Sequence, residues 1–111
     1  EHADGLMCAC DTDLERDWLR VLMAGDFRLP DAAQPLLESA RCRPDFLYTD
    51  AGLAVFIDGP VHDRSDKSVE DAAVEERLLD AGYSFVRFAH DEDWLVKLRE
   101  RADVFGEGRR A

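Results

Sequence analysis

The sequence predicts an α/β domain in which a small mixed sheet is flanked by helices. Apolar residues recur at helical spacing in three segments. Two short apolar runs are joined by a turn that contains Asp and Gly, and a later strand pattern follows a helix long enough to connect parallel strands. The predicted order is helix, three strands, helix, strand, helix. At 111 residues and 46% hydrophobic composition, the chain has enough apolar material for one core.

The first helix is predicted over residues 13–24. Thr12 and Glu15 occupy the two positions of a capping box, in which a hydroxyl caps the helix and a carboxylate follows three residues later. Gly25 ends the pattern. Residues 1–11 are expected to be an N-terminal extension, residues 12–106 a single domain and residues 107–111 a C-terminal tail.

Three strands are predicted next. Residues 34–38 have the pattern of an edge strand, since Pro35 lacks a ladder donor. Residues 44–49 and 53–58 form the hairpin, and Gly52 in the turn adopts positive φ without steric cost.

The second half is predicted to begin with a loop over residues 59–67, followed by a helix with Ser68 at its N-cap and Gly82 as its C-cap. Residues 83–88 alternate aromatic and β-branched residues with polar ones, which indicates a strand. A last helix is expected to start at residues 90–93. The aromatic side chains have core rather than base-stacking spacing, namely Trp18, Phe85, Phe88 and Trp94.

The formal net charge of −11 argues against tight, purely electrostatic binding of nucleic acid. Clustered carboxylates that bind divalent cations, together with a basic partner domain, would account for this excess. The sequence has no apolar run of membrane-spanning length and no signal-peptide pattern. We therefore expect a soluble intracellular protein and, because the chain begins with Glu1, a domain of a longer one.

The chain has three cysteines, an odd number that does not indicate a disulfide framework. Cys8, Cys10 and Cys42, with His2, are a minor candidate for a metal site. Reduced, partly buried thiols are the favoured interpretation.

Asp45 opens the first hairpin strand and Asp58 ends the second, so that the two carboxylates are expected to lie side by side. They form a hard oxygen site suited to Mg²⁺ or Mn²⁺, with the Ile57 carbonyl as a further ligand. His62 has the chemistry to accept a proton from a water molecule near neutral pH. Glu15 is a possible fourth member.

Each residue also has a structural interpretation. Asp45 can simply start a strand, and Asp58 with Gly59 can simply make a turn. His62 alone is more typical of a loop, and Glu15 fits its capping box.

Arg-Pro-Asp-Phe at 43–46, Val-Phe-Ile-Asp-Gly-Pro-Val-His at 55–62 and the segments 78–82 and 83–88 resemble the very-short-patch-repair-like branch of the PD-(D/E)xK nuclease superfamily. The resemblance covers residues 14–105. It implies a restriction-endonuclease-like αβββαβ core and metal-dependent hydrolysis of phosphodiester bonds in DNA.

By this resemblance, Asp45 is the principal metal ligand and Asp58 fills the second acidic position. His62 stands near the place of the motif lysine, and Glu15 matches a helix-borne acidic residue. The implied cofactor is Mg²⁺ or Mn²⁺, with no small-molecule cofactor. Auxiliary polar roles fall to two further residues, Gln34 and Arg77.

The chain also resembles the nuclease-like domain at the C-terminus of some large prokaryotic helicases, including helicases of antiphage defence systems. This implies DNA as a partner, a covalently linked helicase or other basic domain, a role in defence or DNA repair, a prokaryotic cytoplasmic location and no membrane partner.

The sequence departs from the nuclease motif, because Asp58-Gly59-Pro60 replaces the Asp/Glu-x-Lys triplet and Lys67 lies in the predicted loop. The alternative is an inactive nuclease-fold module that binds nucleic acid or protein partners. It predicts that the carboxylates either point apart or are engaged in salt bridges with arginines such as Arg43, Arg77 or Arg87.

Overall fold

The computed structural model describes residues 2–10, 12–60, 64–106 and 108, with only the backbone of residues 64–69. In this part of the chain, five helices and four strands are found. The helices are α1 His2–Ala9, α2 Asp13–Ala24, α3 Arg64–Asp80, α4 Trp94–Glu100 and α5 Ala102–Phe105, and the strands are β1 Ala32–Ala33, β2 Phe46–Tyr48, β3 Leu53–Asp58 and β4 Ser84–Ala89.

The four strands form one mixed sheet in the order β1-β2-β3-β4. β1 and β3 each pair with β2 in the antiparallel sense, whereas β4 pairs with β3 in the parallel sense after the α3 crossover. The predicted hairpin is confirmed, with Phe46 opposite Val55 and Gly52 at a φ of 61° in the turn. The predicted α/β class with a mixed sheet is therefore confirmed.

Both faces of the sheet are covered. Alternate strand residues point to opposite sides, and each side packs into its own cluster of buried residues. On one face, Phe46, Val55 and Phe88 pack against Trp18 of α2 and Phe105 of α5 in a large aromatic core. On the other face, a smaller cluster of buried residues packs beneath α3, namely Leu37, Ala40, Leu47, Ala54 and Leu78. The prediction that the aromatic residues belong to the core is confirmed, since Trp94 and Phe85 pack against these two clusters.

Helix α2 begins as predicted. Thr12 is its N-cap, and the Thr12 hydroxyl accepts a hydrogen bond from the Glu15 amide at 3.2 Å. Inside the expected N-terminal extension, residues 2–9 form α1, whose Leu6 is buried in the aromatic core.

Three boundaries differ from the prediction. The first strand is Ala32–Ala33 rather than residues 34–38, because Gln34 has a φ of 56°, outside the strand region. Helix α3 begins at Arg64, so the predicted cap at Ser68 lies inside the helix. Helix α4 begins at Trp94, where Asp93 accepts the Leu95 amide as N-cap.

In the described part of the chain, none of the helices combines the length and the apolarity that a membrane span requires.

Candidate functional site

An open cleft of about 560 Å³ lies where β2 begins and β3 ends. Its floor is the end of the hairpin, including Asp45, Phe56 and Asp58. One wall is α3, and the other is the turn that contains Arg41 and Arg43. The antiparallel register brings the two predicted carboxylates into this one cleft, because the start of β2 lies beside the end of β3.

Asp45 is bound to the backbone of the neighbouring strand. One carboxylate oxygen, Oδ2, accepts a hydrogen bond from the Ile57 amide at 2.7 Å, and Oδ1 accepts one from Gln34 Nε2 at 3.4 Å. The N–H and C=O groups of a strand residue point to the same side. The Ile57 carbonyl therefore also faces the β2 side, where Asp45 lies.

The pKa of the Asp45 carboxyl is raised from its usual 3.8 to about 6, chiefly by burial and also by the charges of Glu15 and Asp58, whereas the hydrogen bonds from Ile57 and Gln34 oppose the shift. The negative charge of Asp45 is thus incompletely compensated by the protein. A cation bound beside it would relieve both the burial cost and the repulsion.

Glu15 joins the site through Gln34. Glu15 is only 4% exposed, and its Oε1 accepts a hydrogen bond from Gln34 Nε2 at 2.7 Å, the nitrogen that also donates to Asp45. Its other oxygen accepts one from the Thr12 hydroxyl at 3.0 Å. Glu15 therefore combines its capping position with a place beside Asp45, and Gln34 donates to both carboxylates.

Asp58 is paired with an arginine. Arg87 Nη1 donates to both of its oxygens, at 3.1 and 3.4 Å. The same guanidinium donates to Glu75 at 2.6 Å and lies 3.4 Å from Asp71, and it stacks 4.5 Å above the Phe56 ring. Burial opposes the charge of Arg87, but the Glu75 hydrogen bond and the three carboxylates outweigh it and raise its pKa.

His62, the predicted proton acceptor, lies outside the described residues, and the Lys67 side chain is also outside them. The backbone of Lys67 belongs to α3 rather than to the predicted loop. The site geometry consequently rests on Asp45, Asp58 and Glu15.

Within the residues that the structure describes, no three His, Cys, Asp or Glu side chains are arranged to hold a metal ion. This applies to the cysteines as well: Cys8 is exposed, Cys10 is buried with its thiol donating to the Leu6 carbonyl, and Cys42 lines the cleft. Among the described residues, none of the three cysteines forms a disulfide bond.

The donor set nevertheless matches the chemistry of Mg²⁺ and Mn²⁺. These ions prefer oxygen ligands, and Mg²⁺ usually binds one or two carboxylates, several waters and substrate phosphate rather than a cage of protein side chains. Asp45 and Asp58 supply two carboxylates, and the Ile57 carbonyl supplies a third oxygen. For Asp58 to bind a cation, its carboxylate oxygens must turn away from Arg87.

Sequence reasoning missed two acidic partners of Arg87, namely Asp71, which lines the cleft, and Glu75. They are four residues apart and therefore share one face of α3, the face that meets Arg87. Their spacing of four residues predicts that they share one face of a helix, but nothing more. The position of that face over β4 required the tertiary structure.

Comparisons with protein-family models, with curated proteins and with solved structures found no match for this chain.

Proposed function

We propose that this chain is a metal-dependent endonuclease domain that hydrolyses phosphodiester bonds in DNA. The observation that supports the proposal is the placement of Asp45 and Asp58 in one cleft, where burial and neighbouring carboxylates raise the pKa of Asp45. The helix-strand order and the mixed sheet are compatible with the αβββαβ core that the sequence resemblance implies.

Each residue of the site has a distinct role in this proposal. Asp45 and Asp58 hold the cation, with the Ile57 carbonyl as a further ligand, and Gln34 fixes the orientation of Asp45 against Glu15. When bound, Mg²⁺ or Mn²⁺ activates water and neutralises charge that builds up on a phosphoryl oxygen. His62, four residues beyond Asp58, accepts the proton of the attacking water.

The excess of acidic residues requires help from another part of the protein. A net charge of −11 repels nucleic acid except where cations or basic groups intervene. We propose a linked helicase or other basic domain as the source of most of the DNA affinity, as in prokaryotic repair or antiphage defence proteins with such a nuclease-like domain.

A second candidate is a nuclease-fold module without activity that binds nucleic acid or protein partners. The specific observation in its favour is the salt bridge between Asp58 and Arg87, which occupies the second carboxylate. In this alternative, Arg87 permanently replaces the cation.

Calorimetric titration with Mn²⁺ and Mg²⁺ tests the two candidates. We expect millimolar or tighter binding by the wild type and its loss in Asp45→Ala and Asp58→Ala. Asp103→Ala is the control, because Asp103 is an exposed carboxylate paired only with Arg101 among its described contacts. The same variants are then assayed for nicking of supercoiled plasmid. Binding or nicking that survives both substitutions would exclude Asp45 and Asp58 as the metal site, and a wild type that neither binds metal nor nicks DNA would favour the inactive module.

A further inference from the structure

Three arginines of the cleft lack the salt bridges that most other cations of the described chain form. Among side chains that the structure describes, six arginines and lysines form salt bridges with carboxylates, whereas Arg41, Arg43, Arg77 and Arg99 form none. Three of these four, Arg41, Arg43 and Arg77, line the same cleft as Asp45 and Asp58. In a chain with 25 acidic and 14 basic residues, this concentration of unneutralised positive charge is unexpected.

Arg77 holds the turn that bears the other two. Its Nε donates to the Ala40 carbonyl at 2.8 Å, and its Nη2 lies 3.5 Å from the Arg41 carbonyl. These bonds fix the turn against α3 without cancelling the charge of the guanidinium. Arg41 and Arg43 are both exposed, so that their guanidinium groups are accessible to a ligand.

The cleft is therefore far less acidic than the chain as a whole. Its described lining contains four carboxylates and four arginines. Arg87 offsets part of the negative charge of Asp58, Asp71 and Glu75 at one end, and Arg43 lies only two residues from Asp45 at the other. A polyanion is therefore repelled less strongly here than the net charge of the chain implies.

We propose that Arg41, Arg43 and Arg77 form a phosphate-binding rim that holds the backbone of a DNA strand beside Asp45 and Asp58. This inference rests on the proposed function and names the contacts that position its substrate. Guanidinium groups bind phosphate through paired, charge-assisted hydrogen bonds. Since backbone phosphates have no sequence information, the rim sets the register of the strand rather than base specificity.

The test is DNA binding by fluorescence anisotropy, with a labelled duplex of about 20 base pairs and Ca²⁺ in place of Mg²⁺. We compare Arg41→Gln, Arg43→Gln and the double variant with Arg99→Gln. Arg99 is the matched control, because it is exposed and unpaired among the described residues but lies on α4, away from the cleft.

Each rim substitution is expected to weaken binding about fivefold, equally for unrelated duplex sequences. Each is also expected to reduce the slope of log affinity against log salt by about 1. Arg99→Gln should bind like the wild type, and circular dichroism melting checks that all variants fold.

Wild-type affinity in both rim variants, an equal loss in Arg99→Gln, or no detectable binding by the wild type would overturn the inference. These failures are distinguishable from failure of the proposed function. Metal binding that depends on Asp45, without any effect of the rim substitutions on DNA affinity, would leave the metal site and remove the rim. A rim effect without Asp45-dependent metal binding would leave a DNA-binding cleft that does not hydrolyse its ligand.

Discussion

Arg87 donates hydrogen bonds to both carboxylate oxygens of Asp58, at 3.1 and 3.4 Å. The carboxylate that we propose as a metal ligand is therefore held by a cation of the protein itself. Both groups are largely withdrawn from solvent, with side-chain exposures of 20% for Arg87 and 29% for Asp58. A divalent cation and Arg87 consequently compete for the same oxygens.

Replacement of Arg87 by Gln should destabilise the metal-free protein by roughly 1–3 kcal/mol, because Asp58 and Glu75 lose their shared counter-charge in a half-buried place. Millimolar Mg²⁺ should then stabilise the variant more than it stabilises the wild type, since a ligand of the folded state adds stability by mass action. Urea unfolding with and without Mg²⁺, at equal ionic strength, measures both effects.

Arg101→Gln provides the control for this experiment. Arg101 also pairs with a carboxylate, Asp103, but on an exposed surface, where such a pair contributes little to stability. Two results would contradict competition between Arg87 and a divalent cation for Asp58. In one, Arg87→Gln is as stable as Arg101→Gln; in the other, Mg²⁺ stabilises Arg87→Gln no more than it stabilises the wild type.

The Asp45 carboxyl should make stability fall as pH rises from about 4 to about 6. Its folded pKa lies above its usual value, so in this window the unfolded chain releases the proton first and the folded state bears the cost of ionisation at higher pH. Asp45→Asn cannot ionise, and its side-chain oxygen can still accept from the Ile57 amide. The variant should therefore be more stable than the wild type near pH 7.5.

The expected gain is on the order of 1 kcal/mol, below the full value of about 1.4 kcal/mol per pKa unit because the carboxyl is partly solvated. It should disappear below about pH 3, under the unfolded pKa of 3.8, where both states of the wild type are protonated. Chemical unfolding across this range measures the difference, and the other carboxyls cancel in the comparison. A difference that does not change with pH would show that Asp45 does not titrate abnormally.

Gln34→Ala should cost about 1–3 kcal/mol, because the buried Glu15 carboxylate loses the donor at 2.7 Å. A double-mutant cycle with Glu15→Gln isolates the contact from other effects of each substitution. Chemical unfolding of the four proteins should yield a coupling energy above roughly 0.5 kcal/mol. Additive losses would mean that the two side chains act independently.

Trp18 should tolerate Phe much better than Ala. Its ring is fully buried and stacks on Phe46 at 5.0 Å, while its indole N–H has no hydrogen-bond partner among the described residues. Trp18→Ala should cost about 3–5 kcal/mol by leaving a cavity. Trp18→Phe keeps an aromatic ring in the stack and removes the unpaired donor, whose burial is unfavourable by about 1–3 kcal/mol.

Trp94→Phe is the comparison for this prediction, since the Trp94 indole donates to the Ala89 carbonyl at 2.7 Å. Thermal or urea unfolding of the three variants should show that Trp94→Phe costs at least as much as Trp18→Phe, although Trp94 is the less buried ring. A clearly larger loss in Trp18→Phe would indicate that packing volume outweighs the unpaired donor.

Local patterns in the sequence were sufficient for several elements. Helix α2 follows from a capping box and a helical apolar period, and both are properties of neighbouring residues. The hairpin follows from two short apolar runs and the turn at Gly52. Because a hairpin register places its two open ends side by side, the proximity of Asp45 and Asp58 was also predictable.

Boundaries that depend on distant contacts were not predictable. Gln34 adopts positive φ where its side chain bridges Glu15 and Asp45. The first strand therefore ends at Ala33, before the predicted start at residue 34. Ser68 is a residue type that favours the N-cap position. Residues 64–67 contain no glycine or proline, however, and the helix already begins at Arg64. Local capping preference is worth only about 1 kcal/mol, which tertiary packing readily outweighs.

The sequence by itself determined the α/β class, the hairpin and the two carboxylates at its open end, because each depends on residues close together in the chain. Only the tertiary structure decided that Arg87 holds Asp58 and that Arg41, Arg43 and Arg77 line the same cleft. Those relationships depend on how the crossover helix α3 lies over the sheet. Periodicity defines the faces of a helix, but the packing of side chains far apart in sequence determines which face meets which strand.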